Sequence, residues 1–152
     1  MATDLLKGKK GIIFGALNEQ SIAWKVAEKA HEQGAEFVLT NAPIALRMGE
    51  INKLADATNS EVIPADATDM EDLENLFTKA QEILGGKVDF ILHSIGMSPN
   101  VRKKKHYTEN NYDFYHKTMD ISAMSLHRTL STAMKMDALN EWGSVVGLTY
   151  IA

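Results

Sequence analysis

The chain has 152 residues, 45% hydrophobic and 24% charged, with a net charge of −4 and no cysteine. This composition excludes a disordered or fibrous chain, and the acidic balance argues against nucleic acid or an anionic membrane as partner. The lack of cysteine excludes a disulfide framework, a thiolate nucleophile and a zinc–thiolate site.

The amino terminus has no apolar segment of the kind found in signal peptides. No apolar run approaches the roughly 18 residues that a membrane span requires. We therefore expect one cytoplasmic domain over residues 1–152.

The spacing of apolar residues alternates between strand-like runs and helical stripes along the chain. Short apolar runs predict five strands, at residues 11–15, 37–40, 62–64, 88–93 and 143–148. Helical periodicity predicts helices over residues 21–33, 44–55, 68–84 and 108–136. In the first three helices we expect the inward faces to include Ile22, Ile44, Met48 and Met70.

Thr68 and Glu71 form a predicted capping box at the start of the third helix, and Thr108 is the predicted cap of the long fourth helix. Strands that alternate with helices predict an α/β fold with a doubly wound parallel sheet and helices on both faces. In such a sheet, ligands bind outside the carboxyl ends of the strands. The segments that follow the strands are therefore the candidate site.

The segment after the first strand contains Gly15 and leads into a helix at Ser21. A glycine followed by a helix amino terminus suits a pyrophosphate, but an ordinary strand-to-helix turn has the same sequence. The second strand ends in Thr40-Asn41-Ala42-Pro43, without the acid that binds ribose hydroxyls in many NAD sites. The residues alone therefore leave NADH and NADPH open, and Arg47 is best explained as a surface charge.

After the third strand, Asp66 is placed either to accept from an adenine amine or to form a turn. After the fourth strand, Ser94, Ile95 and Gly96 allow close approach of a nucleotide, whereas His93 is expected to be a hydrogen-bonded core residue. Tyr150 follows the fifth strand, where its hydroxyl either serves as a donor over a cofactor or packs in the core.

A basic run occupies residues 102–106. Such a run is usually a solvated loop, and the functional alternative is a docking patch for an acidic partner or a substrate phosphate. The five histidines have no paired ligand spacing, so no metal site is predicted.

These segments together resemble the enoyl-[acyl-carrier-protein] reductases, a branch of the short-chain dehydrogenase/reductase superfamily with a Rossmann-like fold. The resemblance covers essentially all 152 residues and is closest to Bacteroidetes-type members. Its markers are Gly15 with Ser21-Ile22-Ala23, Asp66, His93-Ser94-Ile95-Gly96, Asp120-Ile121-Ser122 with Ser125, and Leu148-Thr149-Tyr150.

The resemblance implies reduction of a trans-2-enoyl thioester, carried by acyl carrier protein, with NADH or alternatively NADPH in fatty acid synthesis. It implies that Tyr150 is catalytic and that Ser98 borders the substrate. It also implies a homotetramer, in which the long helix packs against a neighbouring subunit. The implied cofactor-binding residues are Gly15, Ser21, Ile22, Ala42, Asp66, Ala67, Ser94, Ile95 and Gly96.

Two departures from the family pattern affect these expectations. Ala42 stands where NADH-dependent members often have glutamine. The sequence ends before the family's second tyrosine and its lysine, so we expect a domain truncated after the fifth strand that is inactive alone.

Two other functions remain open from the sequence. A ketoacyl-type reductase would have an Asn-Ala-Gly turn after the fourth strand and a serine shortly before the tyrosine, and neither is present. A non-catalytic dinucleotide-binding or interaction module of the same fold is the second alternative.

Overall fold

The computed structural model describes residues 3–47 and 49–149. Tyr150, the predicted catalytic residue, and Met48, predicted on an inward helix face, lie outside these residues.

Five parallel strands form one sheet in the order β3-β2-β1-β4-β5. The strands are β1 (Lys10–Phe14), β2 (Glu36–Asn41), β3 (Glu61–Pro64), β4 (Val88–His93) and β5 (Leu139–Gly147). The order reverses next to β1, which pairs with both β2 and β4. The predicted doubly wound parallel sheet is therefore confirmed.

Helices connect the strands and cover both faces of the sheet. They are α1 (Ile22–Glu32), α2 (Pro43–Leu46), α3 (Ile51–Thr58), α4 (Met70–Leu84), α5 (Pro99–Arg102), α6 (Tyr112–Met119) and α7 (Ser125–Lys135). A 3₁₀ turn (Tyr107–Glu109) precedes α6, and a π-helix (Asp120–Met124) joins α6 to α7.

Two apolar cores lie on opposite faces of the sheet, as the alternation of strand side chains requires. Ile12 and Phe14 belong to a core that includes residues of α4 and α7. Ile13, between them, belongs to the other core, with residues of α1 and α3. Because β1 is buried on both faces, its sequence is a continuous apolar run rather than an alternating one.

The predicted helix over 44–55 is wrong, because α2 and α3 are separate helices on either side of Gly49. An added Cβ at Gly49 would lie 2.7 Å from the Leu17 carbonyl oxygen, and the Glu50 N–H donates to that oxygen at 2.8 Å. The break thus lets the chain pack against the turn after β1. As a consequence, Ile44 is 70% exposed instead of buried.

The predicted capping box at Thr68 is also wrong by one residue. Asp69 is the cap of α4, and its Oδ1 accepts from Glu71 N and Asp72 N at 2.8 and 3.1 Å. The Thr68 hydroxyl instead donates to Asp66 Oδ1 at 2.8 Å.

The first residues of two helices were wrongly predicted to face inward. Ile22 begins α1 and Met70 begins α4, and both side chains are exposed. The next residues of each first turn, Ala23 and Trp24 in α1 and Leu73 in α4, are the ones that reach the core.

The predicted helix over 108–136 begins later than expected and changes geometry within its length. Asn111, not Thr108, caps α6, and its Oδ1 accepts from Phe114 N at 3.0 Å. The π-helix then separates α6 from α7.

Candidate functional site

The turns that follow β1, β2, β3 and β4 bring together most of the predicted binding residues at the carboxyl edge of the sheet. Gly15 follows β1, Ala42 follows β2, Asp66 follows β3, and Ser94 follows β4. The reversal of strand order beside β1 is the position where open α/β sheets bind ligands.

Gly15 fits its position because the main chain of the neighbouring turn comes very close. Its φ is +92°, and an added Cβ would lie 1.8 Å from the Ser94 carbonyl oxygen. The Gly15 N–H donates to the Thr40 carbonyl at 3.0 Å. Gly15 therefore packs the turn after β1 against the turn after β4, whereas the sequence had suggested approach to a ligand.

Ser21 shapes the turn that leads into α1. Its Oγ accepts from the N–H groups of Leu17 and Asn18, both at 3.1 Å, and does not cap the helix. No other side chain in the described part of the chain caps α1 either. The first turn of α1 thus has no side-chain acceptor among the described residues for its N–H groups, a condition that suits an anion.

Asn41 holds the end of β2 against the turn after β1. Its Nδ2 donates to the Ala16 carbonyl at 3.1 Å, and its Oδ1 accepts from Ala42 N at 2.9 Å. Ala42 is half-buried and brings no charge to this corner. Sequence reasoning assigned no role to Asn41, although a polar residue at a strand's carboxyl end was a usable signal.

Asp66 closes the turn between β3 and α4. Its Oδ1 accepts from Thr68 N at 2.9 Å and from the Thr68 hydroxyl at 2.8 Å, and its own N–H donates to Asp72 Oδ2 at 2.8 Å. Both contacts of the carboxylate fall on Oδ1, which leaves Oδ2 available as an acceptor. Ala67, the next residue, is buried in the apolar core.

His93 ends β4 as the hydrogen-bonded core residue that we predicted. It is 2% exposed, and its Nε2 lies 2.7 Å from Ser125 Oγ. The Ser125 hydroxyl also lies 2.6 Å from the Ile121 carbonyl, so it links the ring to the π-helix. Burial lowers the pKa of His93, which keeps the ring neutral.

The π-helix anchors the turn after β4 at a second point. Ser122 Oγ accepts from Met97 N at 3.0 Å and donates to the Met97 carbonyl at 3.3 Å. An ion pair of 2.6 Å between Asp120 and Arg128 spans the change from π- to α-geometry. Ser122 and Ser125 thus fix both ends of residues 93–97, a role that sequence reasoning did not assign.

Gly96 lies in open space within that anchored turn. An added Cβ there would meet no atom within 4 Å. Ile95 is half-buried against the core on the α4 face. The turn therefore has room beside its main chain for a bound group.

Ser98 caps α5 and lines a cavity of about 290 Å³. Its Oγ accepts from Val101 N at 3.4 Å. The other residues that line this cavity are Asn100, Val101, Lys105, Tyr107, Asn110, Tyr115 and Thr118.

A larger cavity, of about 730 Å³, lies at the opposite edge of the sheet. It is lined by the segments that enter β2 and β3 and by the end of α4, and it contains none of the predicted site residues. We do not assign it to the site.

Neither a metal centre nor a membrane span is found in residues 3–47 and 49–149. No group of three or more His, Asp or Glu side chains has a metal-binding arrangement there. No helix within these ranges has the length and apolar character needed to cross a bilayer.

A family model described as enoyl-(acyl carrier protein) reductase matches residues 15–152. The chain belongs to this family. The enoyl reductase resemblance seen in the sequence is therefore confirmed, and so is the associated Rossmann-like fold.

Curated relatives and solved structures of the enoyl reductase family are similar to this chain over nearly its full length. "Enoyl-[acyl-carrier-protein] reductase [NADH] 1" of Rhizobium meliloti is 33% identical over 98% of this chain and 54% of its own length. The FabI–NADH complex from Alistipes finegoldii is 62% identical with a TM-score of 0.95, over 97% of this chain and 52% of that one. The Bacillus cereus enoyl-acyl carrier protein reductase with NADP⁺ and indole naphthyridinone is 30% identical with a TM-score of 0.84. This match covers 97% of this chain and 57% of that one. The chain spans about half the length of the curated relatives it matches.

Proposed function

We propose that the protein reduces trans-2-enoyl thioesters on acyl carrier protein to saturated acyl thioesters in fatty acid synthesis. NADH is the proposed reductant, and NADPH is the alternative. The observation that carries the proposal is the set of interlocked turns at the carboxyl edge of the sheet, in a chain of the enoyl reductase family.

The residues at this edge fit a dinucleotide. The uncapped start of α1, beside Ser21 and Ile22, would hold the pyrophosphate and ribose, with Gly15 keeping the adjoining turn in place. Asp66 Oδ2 and the Ala67 main chain would hold the adenine. The cofactor's adenosine side would lie along Ala42, Ser94, Ile95 and Gly96, where the space beside Gly96 is open.

NADH is favoured over NADPH by two of the three relatives reported above and by the local charge, whereas the Bacillus cereus structure holds NADP⁺. The Rhizobium meliloti relative carries NADH in its name, and the Alistipes finegoldii structure holds NADH. At the end of β2, Asn41 is turned toward the main chain by two hydrogen bonds, and no cation within residues 3–47 and 49–149 forms a hydrogen bond with it. A 2′-phosphate would need such a cation.

When bound, the nicotinamide supplies the hydride that adds to the β-carbon of the enoyl group. The chain's own contribution is to hold the thioester and to stabilise the charge that develops on its oxygen. We propose that Ser98 borders the thioester and that the Tyr150 hydroxyl donates toward the oxygen. Both roles are carried over from the family.

The decisive test is enoyl reduction by the protein expressed from the complete open reading frame that contains this sequence. We expect consumption of NADH that depends on a trans-2-enoyl thioester of acyl carrier protein. NADH binding without turnover would favour a non-catalytic nucleotide-binding module. Oxidation of NADH that depends on a ketoacyl thioester instead would indicate a ketoacyl-type reductase, which forms an alcohol.

We further propose that the protein acts in the cytoplasm as a homo-oligomer, a tetramer in its complete form. Exposed apolar side chains on α6 support self-association.

A further inference from the structure

The densest positive charge on the molecule lies in one loop beside the candidate substrate cavity. Four of the sixteen basic residues occupy consecutive positions 102–105, and His106 follows, in a chain whose net charge is −4. All five side chains are exposed. Between positions 98 and 112, Glu109 is the only acidic residue.

These charges are not neutralised by an ion pair with any residue that the structure describes. In the described ranges, none of the four cations from Arg102 to Lys105 forms an ion pair, whereas eight basic residues elsewhere do. Lys103 lies over the Phe114 ring at 4.5 Å. That contact fixes the direction of one side chain and leaves its charge available.

The loop is held in one shape by a pair of hydrogen bonds at its base. The buried Asn100 side chain accepts from Asn111 N at 3.0 Å and donates to the Asn111 carbonyl at 3.1 Å. Lys104 has a φ of +53°, and the N–H groups of Lys104 and Lys105 donate back to Val101 and Asn100. Such a loop presents its charges without a large loss of entropy on binding.

Exposed apolar residues lie on both sides of the charges. Val101 is 75% exposed and Tyr107 is 90% exposed. Arginine and tyrosine are enriched at protein–protein interfaces, where charge controls the rate of encounter. The surface formed by residues 101–107, called here the basic loop, therefore combines exposed apolar side chains with unpaired positive charge, as a charge-steered docking site does.

The basic loop is also directly connected to the proposed substrate residue. Ser98 caps the four-residue helix α5, and Arg102 is the last residue of that helix. A protein docked on the loop would lie at the mouth of the cavity that Ser98 lines.

We propose that the basic loop is the docking surface for the protein that delivers the thioester, through carboxylates on the carrier. This inference rests on the proposed function, because it takes its partner from there. The loop then acts on the rate of encounter with the carrier, and the chemistry of the reduction does not depend on it.

The test compares one charge-reversal variant with the unmodified protein, using three thioesters of the same acyl group as substrates. Arg102→Glu/Lys104→Glu alters two exposed side chains that do not line the cavity. At low salt, we expect kcat/KM with the carrier-borne thioester to fall about tenfold, the lower end of the effect of electrostatic steering. With the N-acetylcysteamine thioester, kcat/KM should be unchanged. The CoA thioester tests the alternative that the loop binds a substrate phosphate, and it should also be unaffected if the loop docks the carrier protein.

Two controls make the result specific. Lys7→Glu/Lys79→Glu changes the same number of exposed charges away from the loop and should leave all three substrates unaffected. Arg102→Gln/Lys104→Gln should give a smaller loss with the carrier and replaces the first variant if that one unfolds. Added salt should remove the difference between the variant and the unmodified protein.

Direct binding of acyl carrier protein, measured by titration calorimetry, separates this inference from the proposed function. If the protein reduces no enoyl thioester but its affinity for the carrier falls in the variant, the docking surface stands and the proposed activity fails. Equal carrier affinity in both proteins, or an equal loss with the CoA thioester, would overturn the docking surface.

Discussion

Gly15 has the closest main-chain approach of any glycine in residues 3–47 and 49–149. The carbonyl of Ser94 occupies the position that a Cβ would need, and the positive φ disfavours any other residue. Both strand-end turns therefore depend on this glycine, and both belong to the proposed cofactor site.

We expect Gly15→Ala to lower the free energy of unfolding and to weaken NADH binding together. The positive φ alone costs about 1 kcal/mol for alanine, and the contact with Ser94 adds to it by forcing the turns apart. Chemical denaturation and NADH titration measure the two effects.

Gly8→Ala is the matched control, since Gly8 has a φ of +75° and no atom within 4 Å of an added Cβ. The Gly8→Ala variant should lose only the part of the free energy of unfolding that the positive φ costs, and it should keep its NADH affinity. If both variants lost the same stability, the close contact between Gly15 and Ser94 would not matter.

At the scale of elements, the π-helix determines how α6 and α7 hold the turn after β4. Ser122 and Ser125 both point to that turn and bond to Met97 and His93. π-turns of this kind occur often beside functional sites. Here the irregular turn places two hydroxyl groups where a segment of the candidate site needs support.

We expect Ser125→Ala to destabilise the protein by about 1–3 kcal/mol, because it leaves the buried Nε2 of His93 without its hydrogen-bond partner. Ser131→Ala, at an exposed position on the same helix, should change stability little. Similar losses in both variants would contradict the pairing.

The pH dependence of stability offers a second measurement on the same pair. Burial lowers the pKa of His93 below its ordinary value of 6.5 in the folded state. The unfolded chain therefore takes up a proton first as the pH falls, and stability decreases below about pH 6.5, by at most about 1.4 kcal/mol per pH unit. His93→Gln should reduce this slope, whereas His127→Gln, on the exposed surface, should keep it.

The strands β1, β2 and β4 were predictable from sequence because buried strands need continuous apolar runs. The strand β5 was predicted less well: it begins at Leu139, four residues before the predicted start, and none of its residues is buried. The break between α2 and α3 was not predictable, since the helical spacing of Ile51 and Leu54 continues through Gly49, and only the tertiary contact with Leu17 requires the break. The cap at Asp69 and the π-helix likewise depend on geometry that residue spacing does not encode.

The candidate site was predictable to the extent that topology determines it. The parallel order places the segments of Gly15, Asp66 and Gly96 at one edge of the sheet, whatever their side chains contact. The anchoring by Asn41, Ser122 and Ser125 depends on side-chain hydrogen bonds between distant segments. The individual binding roles, and that of Tyr150, stay predictions.

At the scale of the whole molecule, a row of apolar side chains along α6 is exposed. Tyr112, Tyr115 and Met119 share one helical face at a spacing of three and four residues, and Tyr112 is 79% exposed. An apolar face of this kind marks an interaction surface.

We expect the complete protein to form oligomers and Tyr112→Ser/Met119→Ser to shift them toward smaller species. Light scattering coupled to size exclusion would measure the mass. Leu5→Ser, which alters an equally exposed apolar residue outside α6, is the control. A monomer in the unmodified protein would refute the proposed homo-oligomer.

The pairing of β1 with β4 has a consequence for synthesis on the ribosome. Lys10 donates its N–H to Asp89 Oδ2, a contact 79 positions apart in the chain. At a translation rate of about 5–20 residues per second, β4 is synthesised roughly 4–16 seconds after β1. One side of β1 has no pairing strand until then. During that interval, β1 and β2 expose an unpaired apolar edge. We therefore expect a chaperone to bind the nascent chain until β4 emerges.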